Sequence, residues 1–319
     1  MKTTLITGGA GFIGSSLIDQ LLEENPHYAI INLDNFDTFY SKEIKQANIR
    51  HHLNYPNYQL LTIDINDAVA MNEAFKEIDI DCIVHLAAKA GVRPSIQDPQ
   101  SYFQTNVMGT LNLLELAKQK KIKKFVFASS SSVYGKNPNV PWRESDLDLE
   151  PISPYAASKI AAEKVCQTYA HLYGLDITAL RFFTVYGPKQ RPDLAIHKFF
   201  KLAMNNQPIP FFGDGSTRRD YTYVADIVQG IKGAMNFKNN GFEVFNLGNH
   251  QTVSLKELVD AIGNVLGKEI LLDKQPKQAG DVDQTYADID KAMSKLGYSP
   301  KTKLIDGLSL FIKYIITKK

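Results

Sequence analysis

The chain has 319 residues, of which 44% are hydrophobic and 22% charged, and its formal net charge is +2. This length favours a large domain plus a smaller one, and the composition is typical of soluble globular proteins. No basic block suggests a nucleic-acid partner, and no apolar run approaches the roughly 18–20 residues that would suggest a membrane partner.

Strands and helices alternate through the first half of the chain. Apolar runs predict strands at 3–7, 29–33, 59–63, 82–87, 124–129 and 176–182, and helical spacing predicts helices at 12–24, 67–77, 102–119 and 155–173. Alternating units of this kind predict an α/β fold with a doubly wound parallel sheet, a Rossmann fold. The ligand cleft should then open at the carboxyl ends of the strands.

The first strand leads into the glycine-rich segment Thr-Gly-Gly-Ala-Gly-Phe-Ile-Gly at 7–14. Gly8 can take a tight turn, Gly11 allows the backbone to approach a ligand, and Gly14 allows close packing of helix on sheet. The second strand ends in Asp34, 20 residues beyond Gly14, where a carboxylate can accept the ribose hydroxyls of a dinucleotide. Because a carboxylate would repel a 2′-phosphate, NAD is favoured over NADP. A purely steric glycine turn is the alternative.

Beyond residue 186, prolines and glycines separate shorter elements. We therefore predict a dinucleotide-binding domain at 1–186 and a smaller mixed α/β substrate lobe at 187–319, interleaved with the first domain. Helical patterns occupy 254–266 and 304–316, and residues 242–246 could return as a strand to the main sheet. The two cysteines, Cys82 and Cys166, fit reduced buried thiols, and no leader pattern precedes the first strand, so we expect a cytoplasmic protein.

Tyr155 and Lys159 lie four residues apart at the start of a predicted helix, just after Pro154. That spacing places the phenol and the ammonium on one helix face. A neighbouring cation favours the phenolate, so Tyr155 is a plausible base near neutral pH. A half-buried amphipathic pair is the alternative.

A run of four serines, Ser129, Ser130, Ser131 and Ser132, closes the fifth predicted strand at the cleft edge. A hydroxyl at this position could form a hydrogen bond with a substrate oxygen. The alternative is a serine-rich turn without a chemical role.

The glycine segment, Asp34, the His85-Leu-Ala-Ala stretch, Asn106, the serine run and the Tyr155/Lys159 pair together resemble the extended short-chain dehydrogenase/reductase family. The resemblance covers essentially the whole chain and narrows to the nucleotide-sugar 4-epimerases. It implies a tightly held NAD that returns to its starting state in each turnover. It also implies a homodimer, which the helices at 102–119 and 155–173 would form across a two-fold axis.

By this resemblance, Tyr155 is the catalytic base, Lys159 tunes it and holds the nicotinamide ribose, and Ser130 assists at the sugar 4-hydroxyl. The implied cofactor-binding residues are Gly8, Gly11, Phe12, Ile13, Gly14, Asp34, Asn35, Asp64, Ile65, Leu86, Ala87, Ala88, Asn106, Ser129, Tyr155, Lys159 and Phe183.

The residue before the Val-Tyr-Gly stretch separates related reactions. Similar sugar 4,6-dehydratases and uronate decarboxylases carry an acidic residue there, whereas this chain has Ser132. Without that carboxyl group, proton abstraction at C5 lacks its agent. Epimerisation needs none: Tyr155 can take the 4-hydroxyl proton while hydride passes from C4 to NAD, and hydride then returns to the other face of the turned 4-keto sugar.

The resemblance also implies how the UDP diphosphate is held. Arg219 matches an arginine that pairs with the diphosphate, and guanidinium forks suit phosphate; a surface salt bridge is the alternative. A second family arginine is replaced by Gln278, before Ala-Gly-Asp281-Val. This departure weakens the case for a hexose-specific member, and Gln278 and Asp281 are kept as substrate-binding candidates.

The segment from Arg181 to Leu194 resembles its counterpart in UDP-glucuronate 4-epimerases, with Thr184 where hexose epimerases more often carry asparagine. A uronate carboxylate needs fixed donors, and it must stay out of line with the 4-keto group, or the β-keto acid would lose carbon dioxide. Arg191 could supply such donors, or it could merely pair with Asp193 on a surface loop. The full set of substrate-binding candidates is Arg93, Ser130, Ser131, Ser132, Thr184, Arg191, Arg219, Gln278 and Asp281.

We therefore expect an enzyme that interconverts UDP-glucuronate and UDP-galacturonate. A UDP-glucose or UDP-N-acetylglucosamine 4-epimerase is the nearest alternative, and a non-catalytic NAD-binding protein is a further one. His51 and His52 match no metal-ligand spacing, so we expect a solvated loop or helix end there and no metal site.

Overall fold

The computed structural model describes residues 2–24, 28–276 and 282–317. Its strands, in chain order, are β1 (Lys2–Thr7), β2 (Tyr28–Leu33), β3 (Tyr58–Leu61), β4 (Cys82–His85), β5 (Lys124–Ser130), β6 (Asp176–Phe182), β7 (Thr184–Tyr186), β8 (Ile209–Phe212), β9 (Arg218–Arg219), β10 (Tyr221–Tyr223), β11 (Phe242–Leu247), β12 (Val253–Ser254) and β13 (Leu272–Gln275).

The helices cover both sides of a central sheet and build a second lobe. In chain order they are α1 (Phe12–Glu24), α2 (Lys42–Ile49), α3 (Ala68–Ala74), α4 (Val92–Gln97), α5 (Pro99–Phe103), α6 (Gly109–Gln119), α7 (Pro154–Tyr173), α8 (Ala195–Met204), α9 (Val224–Asn236), α10 (Leu255–Leu266), α11 (Asp290–Leu296) and α12 (Leu304–Thr317). None of the helices in the described ranges combines the length and apolarity needed to cross a bilayer.

The central sheet has seven strands in the order β11-β6-β5-β4-β1-β2-β3, all of them parallel. Successive strand residues face opposite sides of a sheet. Accordingly, Leu5 and Ile83 belong to an apolar cluster with α6 and α7, whereas Ile6 and Val84 belong to one with α1 and α9. The predicted doubly wound α/β fold is confirmed.

Part of the chain after residue 186 returns to the central sheet. β11 pairs with β6 in parallel, from Phe242 opposite Ile177 to Leu247 opposite Phe182, which confirms the expected return of residues 242–246 to the main sheet. Residues 224–247 therefore lie in the layers of the large sheet. The other late strands form the two-stranded pairs β7/β10, β9/β12 and β8/β13, and these pairs with α8, α10 and α12 build the smaller mixed α/β lobe.

Several predicted elements end earlier than expected at the carboxyl edge of the sheet. β3 ends at Leu61 and β4 at His85, where the chain turns out of the ladder to form the cleft. The helix predicted at 102–119 is instead α5, a π-helical turn at Gln104–Met108, and α6. Such turns are frequent at functional sites.

Helix α7 runs for 20 residues from the cleft edge. Its start is fixed by Pro154 in the first turn and by Ser153, whose hydroxyl oxygen accepts a hydrogen bond from the Ala156 N–H at 3.1 Å. It ends at Gly174, in the left-handed conformation at φ +67°. The fixed start of the helix places the phenol of Tyr155, its second residue, at the edge of the sheet.

Trp142 joins the large sheet to the second lobe. Its ring stacks on Tyr134 with centroids 5.1 Å apart, and its indole N–H donates to the Asn137 carbonyl at 3.0 Å. Its main chain pairs with Tyr286 and Asp288, at 2.7 and 2.9 Å. The side chain is 2% exposed.

We expect Trp142→Ala to lower the free energy of unfolding by about 3–5 kcal/mol, because it empties a buried ring site. Urea unfolding followed by circular dichroism measures this change. Leu147→Ala, in the same connection but 89% exposed, is the control and should leave the midpoint unchanged. Equal midpoints for both variants would contradict the anchoring role.

Candidate functional site

A cleft of about 490 Å³ opens at the carboxyl ends of β1, β2, β4 and β5, where a parallel sheet is expected to bind a ligand. Most of the predicted cofactor-binding residues line it. They are Gly8, Gly11, Phe12, Ile13, Gly14, Asp34, Asn35, Asp64, Ile65, Leu86, Ala87, Ala88, Ser129, Tyr155 and Lys159.

The glycine turn after β1 is closed by the Gly11 N–H, which donates to the Gly8 carbonyl at 3.1 Å, and it is tied to the end of β2. Gly8 lies at φ +71°, and its N–H donates to the Leu33 carbonyl at 2.9 Å. A Cβ on Gly14 would meet the carbonyl oxygen of Gly8 and lie 2.7 Å from the Cα of Gly9. The N-terminus of α1 therefore borders the cleft closely, where its free N–H groups favour an anion.

Asp34 ties the glycine turn to the end of β2. Its carboxylate accepts hydrogen bonds from the N–H groups of Ala10 at 3.0 Å and Phe36 at 2.9 Å. Burial raises the pKa of this carboxyl, while the two backbone donors and the Lys45 cation oppose the rise. The Asp34 carboxylate, which is expected to favour NAD over NADP, thus lies at the cleft wall and is held in place by these hydrogen bonds.

Sequence reasoning missed a polar wall opposite the glycine turn. Tyr40 lines the cleft, and its buried hydroxyl finds no hydrogen-bond partner among the described residues. Lys45 places its Nζ 4.7 Å from the Tyr40 ring centre and donates to the Asp37 carbonyl at 2.6 Å. A buried hydroxyl that protein groups leave unpaired, beside an anion-favouring turn, fits a dinucleotide. In sequence these residues form an ordinary polar segment with no distinguishing signal.

Other lining residues were also missed. They include Phe39, Lys89, Ser101, Gln104 and Phe182. Phe182 was the closest to being found, since it ends the sixth predicted strand at the ligand edge.

Tyr155 reaches the cleft from the first turn of α7, with the Tyr102 ring at a centroid distance of 6.1 Å in an edge-to-face arrangement. Burial raises the pKa of Tyr155, whereas a hydrogen bond with Ser130 and the nearby Arg191 cation act to lower it. The phenol and the serine predicted to act together are therefore in contact.

Lys159 lies one turn further along α7 and is 3% exposed. Its Nζ donates to the Ala128 carbonyl at 2.8 Å, at the end of β5. Burial lowers the pKa of Lys159 to about 8, while Cys166 and Glu163 act to raise it. Lys159 is thus protonated at neutral pH and loses its charge as the pH rises through about 8.

The serine run ends β5 with Ser129 and Ser130 and begins a short 3₁₀ turn with Ser131 and Ser132. The Ser130 oxygen accepts hydrogen bonds from the Ser132 N–H at 3.2 Å and from the Ser132 hydroxyl at 2.9 Å. Ser129 instead points its hydroxyl inward and donates to Glu163 at 2.5 Å. Ser129 therefore lines the cleft while its hydroxyl turns to Glu163, and Ser130, Ser131 and Ser132 lie outside the lining of the cleft.

Arg191 lines the cleft from the second lobe. Its guanidinium lies 4.9 Å from the Phe39 ring centre and forks onto Asp193, with Nε–Oδ1 at 3.0 Å and Nη2–Oδ2 at 2.8 Å. Arg191 therefore lies at the cleft, as the substrate-binding prediction requires, and it also pairs with Asp193, as the alternative required.

Six substrate candidates that the structure describes lie outside the lining of this cleft: Arg93, Ser130, Ser131, Ser132, Thr184 and Arg219. Thr184 begins β7, Arg219 ends β9 and donates to the Arg218 carbonyl at 2.8 Å, and Arg93 is exposed on α4. Gln278 and Asp281 lie outside the residues that the structure describes.

Two predicted cofactor residues do not line the cleft. Asn106 is buried behind it, where its amide pairs with the Lys89 main chain in both directions, at 2.8 and 2.9 Å. Phe183 packs in the core 6.1 Å from the Trp142 ring, and its neighbour Phe182 lines the cleft instead. The alternation of side chains at the end of β6 explains this exchange.

The expected solvated position of His52 is wrong. Its side chain is fully buried, and its Nε2 lies 2.5 Å from Asp19, to which His51 is bonded at 2.8 Å. These three residues could together face a metal ion, but the second oxygen of Asp19 is already paired with Lys189 at 2.5 Å. The cluster thus joins α1, the end of α2 and the segment after β7.

The chain belongs to the family described as GDP-mannose 4,6 dehydratase, which matches residues 5–310. This family is part of the extended short-chain dehydrogenase/reductases, so the resemblance inferred from the motifs is confirmed. The fold and the nucleotide-shaped cleft agree with that membership.

Relatives with assigned names include nucleotide-sugar epimerases. UDP-glucuronate 4-epimerase of Thermodesulfobacterium geofontis is 39% identical over 97% of this chain and 95% of its own. The structure of UDP-glucuronic acid 4-epimerase from Bacillus cereus, in complex with UDP-glucuronic acid and NAD, has a TM-score of 0.92 at 37% identity, covering 99% of this chain and 100% of the other. UDP-glucose 4-epimerase of Thermotoga maritima, with UDP-glucose, has a TM-score of 0.91 at 34% identity, covering 99% of each chain.

We expect Gly14→Ala to reduce NAD retention at least about tenfold, because its methyl group would push the Gly8 carbonyl toward the ligand. NAD released on denaturation of the purified protein measures retention. Gly241→Ala is the matched control, since its added methyl would meet only the Asn239 side chain at 3.8 Å. Full NAD occupancy in the Gly14 variant would refute the role given to the turn.

Proposed function

We propose that this protein is an NAD-dependent epimerase that interconverts UDP-glucuronate and UDP-galacturonate at C4 of the sugar. The observation that carries the proposal is that Tyr155 and Lys159 line one cleft, with Ser130 hydrogen-bonded to Tyr155 and a serine rather than an acidic residue at position 132. Relatives named for this reaction, at 39% and 37% identity over nearly the whole chain, support it.

NAD, when bound, supplies reversible acceptance of a hydride from C4. The protein supplies the proton transfer: the Tyr155 oxygen takes the proton of the sugar 4-hydroxyl and returns it when the new hydroxyl forms. Ser130, bonded to Tyr155, forms a hydrogen bond with the same sugar oxygen. Lys159 carries a buried positive charge one helical turn away and stabilises the phenolate.

The choice of a uronate rests on the donors around the sugar end of the cleft. Arg191 already presents a bidentate edge to one carboxylate, that of Asp193. The same edge suits the carboxylate of a hexuronate. This donor edge would keep the carboxylate out of line with the 4-keto group and so suppress loss of carbon dioxide, whereas Thr184 and the serine turn lie outside the cleft lining.

The rival substrates are UDP-glucose and UDP-N-acetylglucosamine. The similarity to a UDP-glucose 4-epimerase, at a TM-score of 0.91, keeps that reaction as the second candidate. Both candidates use the same proton-transfer residues, so only the sugar end of the cleft distinguishes them.

We expect the purified protein to convert UDP-glucuronate to a mixture with UDP-galacturonate, with UDP-glucose converted at least about tenfold more slowly in kcat/KM because its sugar brings no carboxylate to Arg191. Proton NMR of the products resolves the two epimers. Tyr155→Phe is the control: it should abolish turnover while NAD stays bound. Turnover of UDP-glucose alone would overturn the choice of sugar, and an active Tyr155→Phe variant would overturn the choice of base.

We further propose that residues 1–186 together with 224–247 form the NAD-binding part and that the remaining segments form the UDP-sugar lobe. The pairing of β11 with β6 supports this division. A cytoplasmic location is also proposed, because Cys82 and Cys166 are both buried and unpaired.

We propose that the protein is a homodimer that pairs through α5, α6 and α7. Phe103, the last residue of α5, is 41% exposed. Met108 on the π-helical turn is 44% exposed, and Leu172 and Tyr173 at the end of α7 are 60% and 46% exposed. A second copy placed across a two-fold axis would cover these side chains.

We expect Phe103→Glu to shift the protein from dimer to monomer, because it places a charge in an apolar interface. Light scattering coupled to size exclusion measures the mass. Val69→Glu, at an 80% exposed position on α3, is the matched control and should leave the mass unchanged. A wild-type protein that elutes as a monomer would refute the dimer.

A further inference from the structure

Three residues on α7 lie four apart and share one face: Tyr155, Lys159 and Glu163. The first two reach the cleft and have roles in the proposed reaction. Glu163 lies one turn deeper and is 4% exposed, with no role assigned so far. A carboxylate this deeply buried is costly unless it is paired and fully hydrogen-bonded.

Glu163 bridges α7 to the carboxyl ends of two strands. Its Oε1 accepts hydrogen bonds from the Ser129 hydroxyl at 2.5 Å and from Arg181 Nε at 3.0 Å, and its Oε2 accepts from Arg181 Nη2 at 2.8 Å. Ser129 on β5 stands directly opposite Arg181 on β6 in the strand register. The carboxylate thus locks one helix to two neighbouring strands.

Arg181 extends this link toward the second lobe. Its guanidinium lies 4.8 Å from the Tyr134 ring centre, and the Tyr134 hydroxyl donates to Asn246 Oδ1 at 2.7 Å. Asn246, on β11, donates in turn to the main chain of Trp142 at 2.9 Å. The network therefore includes Tyr134, the last residue of the 3₁₀ turn at 131–134 that follows Ser130.

We propose that Glu163 and Arg181 are positioning residues of the reaction: their ion pair holds the Ser129 hydroxyl and thereby sets Ser130 against Tyr155. The proposal rests on the proposed epimerase function. Helix α7 holds the end of β5 at two adjacent residues, through Lys159 on the Ala128 carbonyl and through Glu163 on the Ser129 hydroxyl. Ser130, the next residue, is therefore placed by groups of the same helix that carries Tyr155.

The test begins with Ser129→Ala in the NAD-bound enzyme, because this variant removes the link and leaves the ion pair intact. We expect kcat to fall about tenfold with KM changed less than about twofold, since displaced reacting groups cost rate more than binding. In a Ser130→Ala background the same change should have little further effect. Independent, multiplying losses, or a rise in KM with kcat unchanged, would overturn the proposal.

A matched ion-pair variant separates positioning from loss of stability. Lys124 and Asp176 form an ion pair at 2.6 Å across the same two strands, at the end away from the cleft, with Lys124 buried and Asp176 partly buried. Glu163→Gln should lower kcat, whereas Asp176→Asn should lower the melting temperature and leave kcat per folded enzyme unchanged. Equal effects of both variants on kcat would show that Glu163 is only structural.

Hydrogen exchange gives a measurement that needs no substrate. Ser129→Ala should speed amide exchange in residues 131–134 and leave the start of β6 unchanged. Unchanged exchange at 131–134 would contradict the positioning role. If the wild-type protein turned over no UDP-sugar, the proposed function would fail, and the exchange experiment would still decide whether the ion pair orders the serine turn.

Discussion

The hydrogen bond from Lys159 Nζ to the Ala128 carbonyl is the interaction on which the site depends. It fixes the buried ammonium of α7 at the end of β5, where the proposed base and serine meet. Burial lowers the pKa of Lys159 to about 8, so the charge persists at neutral pH and is lost at more alkaline pH. The nearby Glu163 carboxylate acts to keep this buried cation charged. In the proposed reaction the same charge would stabilise the Tyr155 phenolate.

The sequence predicted the parts of this site whose chemistry is local. Glycines at close spacing, an acidic residue at the end of the second strand, and a tyrosine four residues before a lysine each follow from short-range geometry. The doubly wound parallel sheet also followed, since alternating strands and helices admit few topologies. For that reason Gly8, Gly14, Asp34, Tyr155 and Lys159 all appear at the cleft where expected.

What the sequence could not predict depends on contacts between distant segments. Tyr40 lines the cleft because the loop after β2 folds against the glycine turn. His52 is buried where it contacts Asp19 of α1, a residue distant in sequence. Phe183 and Phe182 exchanged roles because a one-residue difference at the end of a strand reverses the side-chain direction. Ser129 was predicted only as a cleft residue. It lines the cleft, but its hydroxyl donates to Glu163 of α7, which is paired with Arg181 of β6.

The two ends of the cleft differ in how their polar groups are committed, and this difference suits epimerisation. At the nucleotide end, Asp34 is bound to two backbone N–H groups and the glycine turn closes on itself, so that wall is rigid. Further along the cleft, near both Phe39 and Tyr155, Arg191 is held by the partly exposed Asp193, a partner that the substrate carboxylate would replace in the proposed reaction. Because a sugar that must present both faces of C4 has to turn between two hydride transfers, the rigid wall retains the nucleotide while exchangeable contacts let the ring reorient. A cleft rigid at both ends would bind the substrate more firmly and would hold it on one face.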